Sequence, residues 1–208
     1  MTGTTLRGNV YANAIEALTE LAARNGAVPS IQEIADHMGV CRDRIDQLFP
    51  SIQHLLVAMA ESAMMVLNQT LIDCVAAARR DDPVAQFLAI ANGYVEWAHR
   101  HPREFRIVGS MPAGNFEGNE RLMRYEASIH ELMIRLLQRA QASGLIAQDQ
   151  DLVTFVSVAH TFAYGVASKM LLGDLARWNP GSSDIEAART NMRVFILHLL
   201  RPSGHAVV

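Results

Sequence analysis

Apolar residues recur along this chain at three- and four-residue steps, and no segment alternates β-branched with polar residues. The pattern therefore predicts helices and no sheet. Val10, Ala14, Leu18, Leu21 and Ala22 form a first stripe, with Gly26 to stop the helix and Pro29 just beyond. Ser30 and Glu33 have the spacing of a capping box. Ile31, Ile34, Ala35 and Met38 make the next stripe, which Gly39 ends. A short third helix sets Cys41, Ile45, Leu48 and Phe49 on one side, and Pro50 closes it. Ser51 can cap a fourth helix that runs to about Arg80 with no interior Gly or Pro.

The second half continues in the same period. Asp81-Asp82-Pro83 supplies acidic residues and a proline to a helix start. That helix carries Phe87, Ile90, Ala91, Tyr94 and Trp97 and ends near His101-Pro102. Phe105–Ser110 holds a helical turn or two, and Pro112–Gly118 reads as a loop. Leu122–Ala142 and Asp149–Leu172 are helices ended by Gly144 and Gly173. Ser183 and Glu186 make a second capping box before a last helix to about Leu200. The expected fold is all-α, with eight or nine helices. A three-helix unit over residues 1–51 precedes a larger helical domain over 52–208, and the helix 52–80 joins them.

Composition narrows the class. The chain has 208 residues, 50% of them hydrophobic, enough to bury a core. Two cysteines, Cys41 and Cys74, cannot staple a fold of this size, so a disulfide-dense secreted module is excluded. Met1–Gly8 has no apolar core of a signal peptide. Leu152–Leu172 comes nearest to a membrane span, but His160 and Lys169 interrupt it, and it reads as a buried helix. A soluble, cytoplasmic protein with no membrane contact is expected. His99 and His101 diverge by about 100° on a helix and find no partner at metal spacing, so no metal or other cofactor is expected. No nucleophile–base set, phosphate-cradling Gly loop or carboxylate pair appears, so no enzyme is expected.

Residues 31–49 have the layout of a helix-turn-helix. Ala35 is small where two helices must cross, Gly39 can adopt positive φ in the turn, and Ile45 and Leu48 point inward. With Ile45 inward, Asp43 and Gln47 point most directly outward, with Arg44 and Asp46 on the flanks. From Tyr11 to about Leu56 the chain resembles the tetracycline-repressor (TetR) family of bacterial regulators. The resemblance is carried by "IQEIADHMGV", "LFPS" and the Leu55-Leu56 that opens the long helix. It implies a homodimer that binds near-palindromic double-stranded DNA and is controlled by a small apolar effector held in the C-terminal domain.

Family recognition helices usually begin Ser-Lys/Arg-Gly, carry a Tyr four or five residues on, and have a Lys after Phe-x-Ser. Here those places hold Cys41-Arg42-Asp43, Asp46 and Ile52. Two phosphate contacts thus become a carboxylate and an alkyl chain. Residues 1–55 hold four arginines (Arg7, Arg24, Arg42, Arg44) against six acids (Glu16, Glu20, Glu33, Asp36, Asp43, Asp46), a net of −2. DNA-binding segments usually carry the opposite sign. A second expectation therefore stands beside the first, a sensor or interaction module of the same fold that has lost DNA binding.

Candidate DNA contacts are Ser30, Arg42, Asp43, Arg44 and Gln47. The arginines suit phosphate or guanine, Gln47 adenine, and Asp43 a cytosine amino group. The competing readings are ion pairs of the arginines with Asp46 or Asp43, a helix-start charge for Asp43, and a plain cap for Ser30. Cys41 is expected to be a small buried hydrophobe. Tyr94, Trp97, Phe105, Met111, Tyr125, His130, His160 and Tyr164 are candidate ligand-binding residues, amphipathic or flexible side chains on apolar helices. Ordinary core is the alternative. Phe155, Ala159, Ala163 and Ala167, with Phe195 and Leu199, are expected at a four-helix dimer interface.

Overall fold

The computed structural model describes residues 3–25 and 28–200. Among them are eleven helices and no strand. Gly26, expected to stop the first helix, lies outside the described residues. The chain divides into two compact units, Met1–Ala63 with Arg103–Leu122, and Met64–Pro102 with Met123–Val208. This division differs from the expected break at residue 51. Ile52, Leu55, Leu56, Ala58 and Met59 join the apolar cluster of the N-terminal helices, so the start of the long helix belongs to the first unit.

The first unit contains α1 (Gly3–Asn25), α2 (Ile31–Met38), α3 (Arg42–Asp46) and the first part of α4 (Ile52–Ala77). It also holds α6 (Pro102–Ser110), apart from its first residue, and α7 (Ala113–Glu117). Its core is Ala14, Leu18, Ile34, Ala35, Ile45, Phe49 and Leu55, all within 2% of full burial. Tyr11 lays its ring on Phe49 at a centroid distance of 4.8 Å. The segment expected to be a loop forms α7. No α7 residue is buried, and the helix is held by its own turns, with Asn115 N–H donating to the Pro112 carbonyl at 2.9 Å. Without a buried face it leaves no periodic apolar signal.

Where α8 (Glu120–Ala142) begins, Asn119 serves two helices. Its Oδ1 accepts from the amides of Arg121 and Leu122 at 2.9 and 3.0 Å. Its Nδ2 donates to Glu61 of α4 at 2.8 Å, and the Arg121 guanidinium reaches the same carboxylate at 3.3 Å.

The second unit is built on α5 (Pro83–Arg100), α9 (Leu152–Leu171) and α11 (Asp184–Leu199), each packed on the other two. Phe87 meets Phe155 edge to face at 5.7 Å, and Phe162 stacks on Phe195 at 3.9 Å. Gly93 sits where α5 passes the second part of α4. A Cβ there would stand 2.9 Å from Cys74 Sγ and 3.2 Å from Leu71 Cδ2, so only glycine fits without displacement. On α8, Arg139 donates to the buried Gln86 at 2.7 Å and to the Arg80 carbonyl at 2.6 Å. A one-turn α10 (Leu175–Trp178) precedes α11, and the buried Asp174 before it pairs with both Lys169 and Arg177.

Among the described residues the helix long and apolar enough to cross a bilayer is α4, whereas the sequence pattern comes nearest to a span at Leu152–Leu172 and predicts a buried helix there. The most apolar 18-residue window of α4 has a mean hydropathy of 1.5, and 50% of that window is buried within the protein.

Candidate DNA-binding and ligand-binding sites

The helix-turn-helix forms through the local chemistry of its ends. Ser30 Oγ accepts from Glu33 N–H at 3.3 Å, and the Glu33 carboxylate accepts from Ser30 N–H at 2.7 Å, closing the capping box. The Ser30 amide and hydroxyl hold the Glu33 carboxyl below the usual carboxylate range. Gly39 takes φ 64°, and its N–H and that of Val40 return to α2 carbonyls. This left-handed residue ends α2 and turns the chain into α3. Ala35 and Ile45 are fully buried, so the two helices meet closely.

Arg42, Asp43 and Arg44 of α3 are all exposed, with Gln47 exposed at the C-terminal cap. Asp46 is half-buried, and its Oδ2 accepts from Arg42 Nε at 3.1 Å. Arg44 forms no ion pair among the described residues. Ser30 is exposed, but its hydroxyl donates to Glu33 at 2.8 Å while accepting the Glu33 amide. Its cap accounts for both roles of the oxygen. Cys41 corrects an expectation. It is exposed rather than buried, because α3 starts at Arg42 and Cys41 is its extended N-cap at φ −69°, ψ 145°. The helical wheel does not apply to a residue outside the helix.

In the second unit the structure gathers part of the expected ligand set. Tyr94 lies 6.1 Å from the Trp97 ring and 6.4 Å from that of His160. Trp97 is 2% exposed. Burial pushes the Tyr94 phenol above the ordinary tyrosine range, and Tyr164 adds to the shift. His101, weighed from the sequence only as a metal ligand, closes this aromatic group at 6.4 Å from Trp97. Tyr125 is half-buried and His130 exposed on α8. Phe105, buried, and Met111, half-buried, belong to the first unit.

The expected dimer stripe is corrected in part. Phe155, Ala159, Ala163 and Ala167 are 0–7% exposed within the single chain, on the side of α9 packed inside its own unit. An apolar period identifies a covered face without saying which chain covers it. Phe195 and Leu199 are half-buried. The residues of these helices that do face outward include Val153, Val158 and Tyr164 of α9 and Val194 of α11.

The family model described as tetracyclin repressor-like, C-terminal domain, matches residues 87–194. No curated protein matches by sequence. Among solved structures, a Rhodococcus protein of unknown function superposes with a TM-score of 0.74 at 22% identity, covering 92% of this chain and 95% of that one. A TetR/AcrR-family transcriptional regulator from Thermobifida fusca gives 0.65 at 21% identity, with 95% and 99% covered. The regulator FadR from Bacillus subtilis, in complex with stearoyl-CoA, gives 0.65 at 15% identity, with 94% and 100% covered. At these identities the likeness establishes the fold.

Proposed function

The chain belongs to the tetracycline-repressor (TetR) family, and from that premise we propose that it is a homodimeric regulator of transcription, a repressor released from DNA by a small apolar molecule. The observation that carries this reading is the two-sided character of α3. Ile45 is fully buried on one side, Asp43 and Gln47 stand in solvent on the other, and Arg42 and Arg44 are exposed on the two flanks between them. A helix held so firmly from behind is free to enter a major groove. Each protomer offers Ser30–Phe49 to one half-site, and the half-sites lie about one duplex turn (~34 Å) apart. The exposed valines of α9 and α11 supply the face for the second protomer.

The effector is held at Tyr94 and Trp97, with the exposed His160 and Tyr164 at the outer edge of the group. The stearoyl-CoA in the Bacillus subtilis relative makes a long-chain acyl compound the first class to test. Such a ligand acts by binding one conformation of the dimer better than another. Equal affinity for both would shift nothing.

One observation favours the second reading, a ligand sensor without DNA binding. The Arg42–Asp46 pair neutralises one of the two cations on α3, and Asp43 stands exposed beside them. Titrating the full chain against random-sequence duplex from about 50 to about 200 mM salt separates the two. The regulator reading expects binding at the low end that falls at least tenfold across the range, about what two neutralised phosphates produce. It also expects Arg42→Ala with Arg44→Ala to abolish that binding. No binding at the lowest salt supports the sensor. Unchanged affinity in the double variant removes α3 from the site.

A further inference from the structure

We propose that Asp46 is a positioning residue for sequence readout, fixing Arg42 for guanine and keeping it from the DNA backbone. The proposal rests on the DNA-binding reading above and deepens it. An arginine has five N–H donors in a rigid fork, and it matches either a phosphate or the O6/N7 edge of guanine. On a solvent-exposed helix nothing normally decides between them. Here something does. The Nε–H of Arg42 is spent on Asp46 Oδ2 at 3.1 Å, one helical turn along the same face. That leaves the four N–H groups of the two terminal nitrogens, whose parallel pair is suited to guanine.

The pairing has two consequences. The pair biases the guanidinium toward one orientation before any base arrives, so less side-chain freedom is lost on binding. In addition, an approaching phosphate meets a neutral pair in place of a bare cation, which weakens the sequence-independent part of the affinity. Arg44, two residues on, is exposed and in no ion pair among the described residues. The short helix therefore assigns its two cations different work, Arg44 to the backbone and Arg42 to a base. The carboxylate at position 46, which looks from the sequence like damage to a phosphate contact, becomes a device for selectivity.

The test is selection of binding sites from a randomised duplex pool by the full-length protein and its Arg42→Ala, Asp46→Ala and Asp46→Asn variants. A titration against random duplex over salt accompanies it. The wild-type protein is expected to enrich sites with guanine at one fixed place in each half-site, preferred over other bases by roughly tenfold. Arg42→Ala removes that preference. Asp46→Ala weakens it severalfold while binding random duplex more tightly, with a salt slope steeper by up to about 0.9 per protomer. Asp46→Asn keeps an acceptor for Nε but not the charge, so it retains the guanine preference and gains only the random-duplex affinity. A role for Asp46 in helix stability alone would move neither readout.

If the wild-type protein selects sites and Asp46→Ala leaves both the base preference and the random-duplex affinity unchanged, the inference falls while the DNA-binding reading stands. The same holds if Arg42→Ala erases no base preference. If the wild-type protein selects no sequence and binds no duplex, both fall together.

Discussion

Arg42, Asp43, Arg44 and Gln47 stand outside a core that does not need them, whereas Trp97, at the centre of the aromatic group in the second unit, is itself core. In the first unit the packing is done by Ala35, Ile45, Phe49 and their neighbours, and the surface that would meet a partner is added on top. In the second, the ring that would wall a ligand also joins α5 to the unit around it, with Tyr94 and His160 beside it. Sequence change can therefore retune the first region without touching its fold. In the second region, a change of ligand preference is also a change of packing.

The sharpest test of this contrast compares neighbours two residues apart. Phe49 is 2% exposed and carries the Tyr11 ring. Phe49→Ala is expected to lower the unfolding free energy by about 3–5 kcal/mol, the usual result of emptying an aromatic site in a core. Gln47→Ala is expected to change it by less than about 0.5 kcal/mol while weakening duplex binding. Urea titrations followed by circular dichroism measure both. Comparable losses in the two variants would show that the outer side of α3 takes part in the fold and would break the contrast.

A smaller effect sharpens the description of the second unit. Gly93→Ala places a Cβ 2.9 Å from Cys74 Sγ. Overpacking of this kind costs about 1–3 kcal/mol, offset by up to about 1 kcal/mol of helix propensity. Adding Cys74→Ala removes the closest atom and is expected to restore much of the loss, leaving Leu71 Cδ2 at 3.2 Å and the Cβ of residue 74 at 3.4 Å as the remaining contacts. No recovery in the double variant would mean that α4 does not approach α5 through this pair.

What could be read from the sequence follows the same divide between local and distant causes. Both capping boxes, the left-handed Gly39 and the Asp82-Pro83 helix start are formed by the residues that announce them. The buried set of the helix-turn-helix follows from its period. The pairing of Arg42 with Asp46, left open among alternatives, is set by an i,i+4 spacing visible in the chain. The requirement for glycine at position 93 was not legible, because it depends on which helix passes α5. The buried side of α9 was legible as apolar, but not as a face covered by the chain's own helices. Cys41 was misplaced for a local reason, since helix boundaries are the least certain part of a periodic pattern and a cap residue inherits no face.

A pH-dependent effect compares a tyrosine from each region. Burial raises the Tyr94 phenol above the ordinary range, and burial with the Glu61 carboxylate raises that of Tyr11, which is 39% exposed. A raised phenol keeps its proton in the folded state after the unfolded chain has lost it. The folded state then binds more protons than the unfolded one, and stability falls as pH rises above about 10. Below that pH both states are protonated, and the groups add no slope. The fall from one such group is at most about 1.4 kcal/mol per pH unit. Urea midpoints from about pH 8 to about pH 11 should therefore decline less steeply in Tyr94→Phe than in the wild-type protein. Tyr11→Phe should change the decline less, because water already reaches its ring. The reverse order would mean that the aromatic group of the second unit is no more sheltered than the surface of the first, and the two regions would then differ in charge but not in depth.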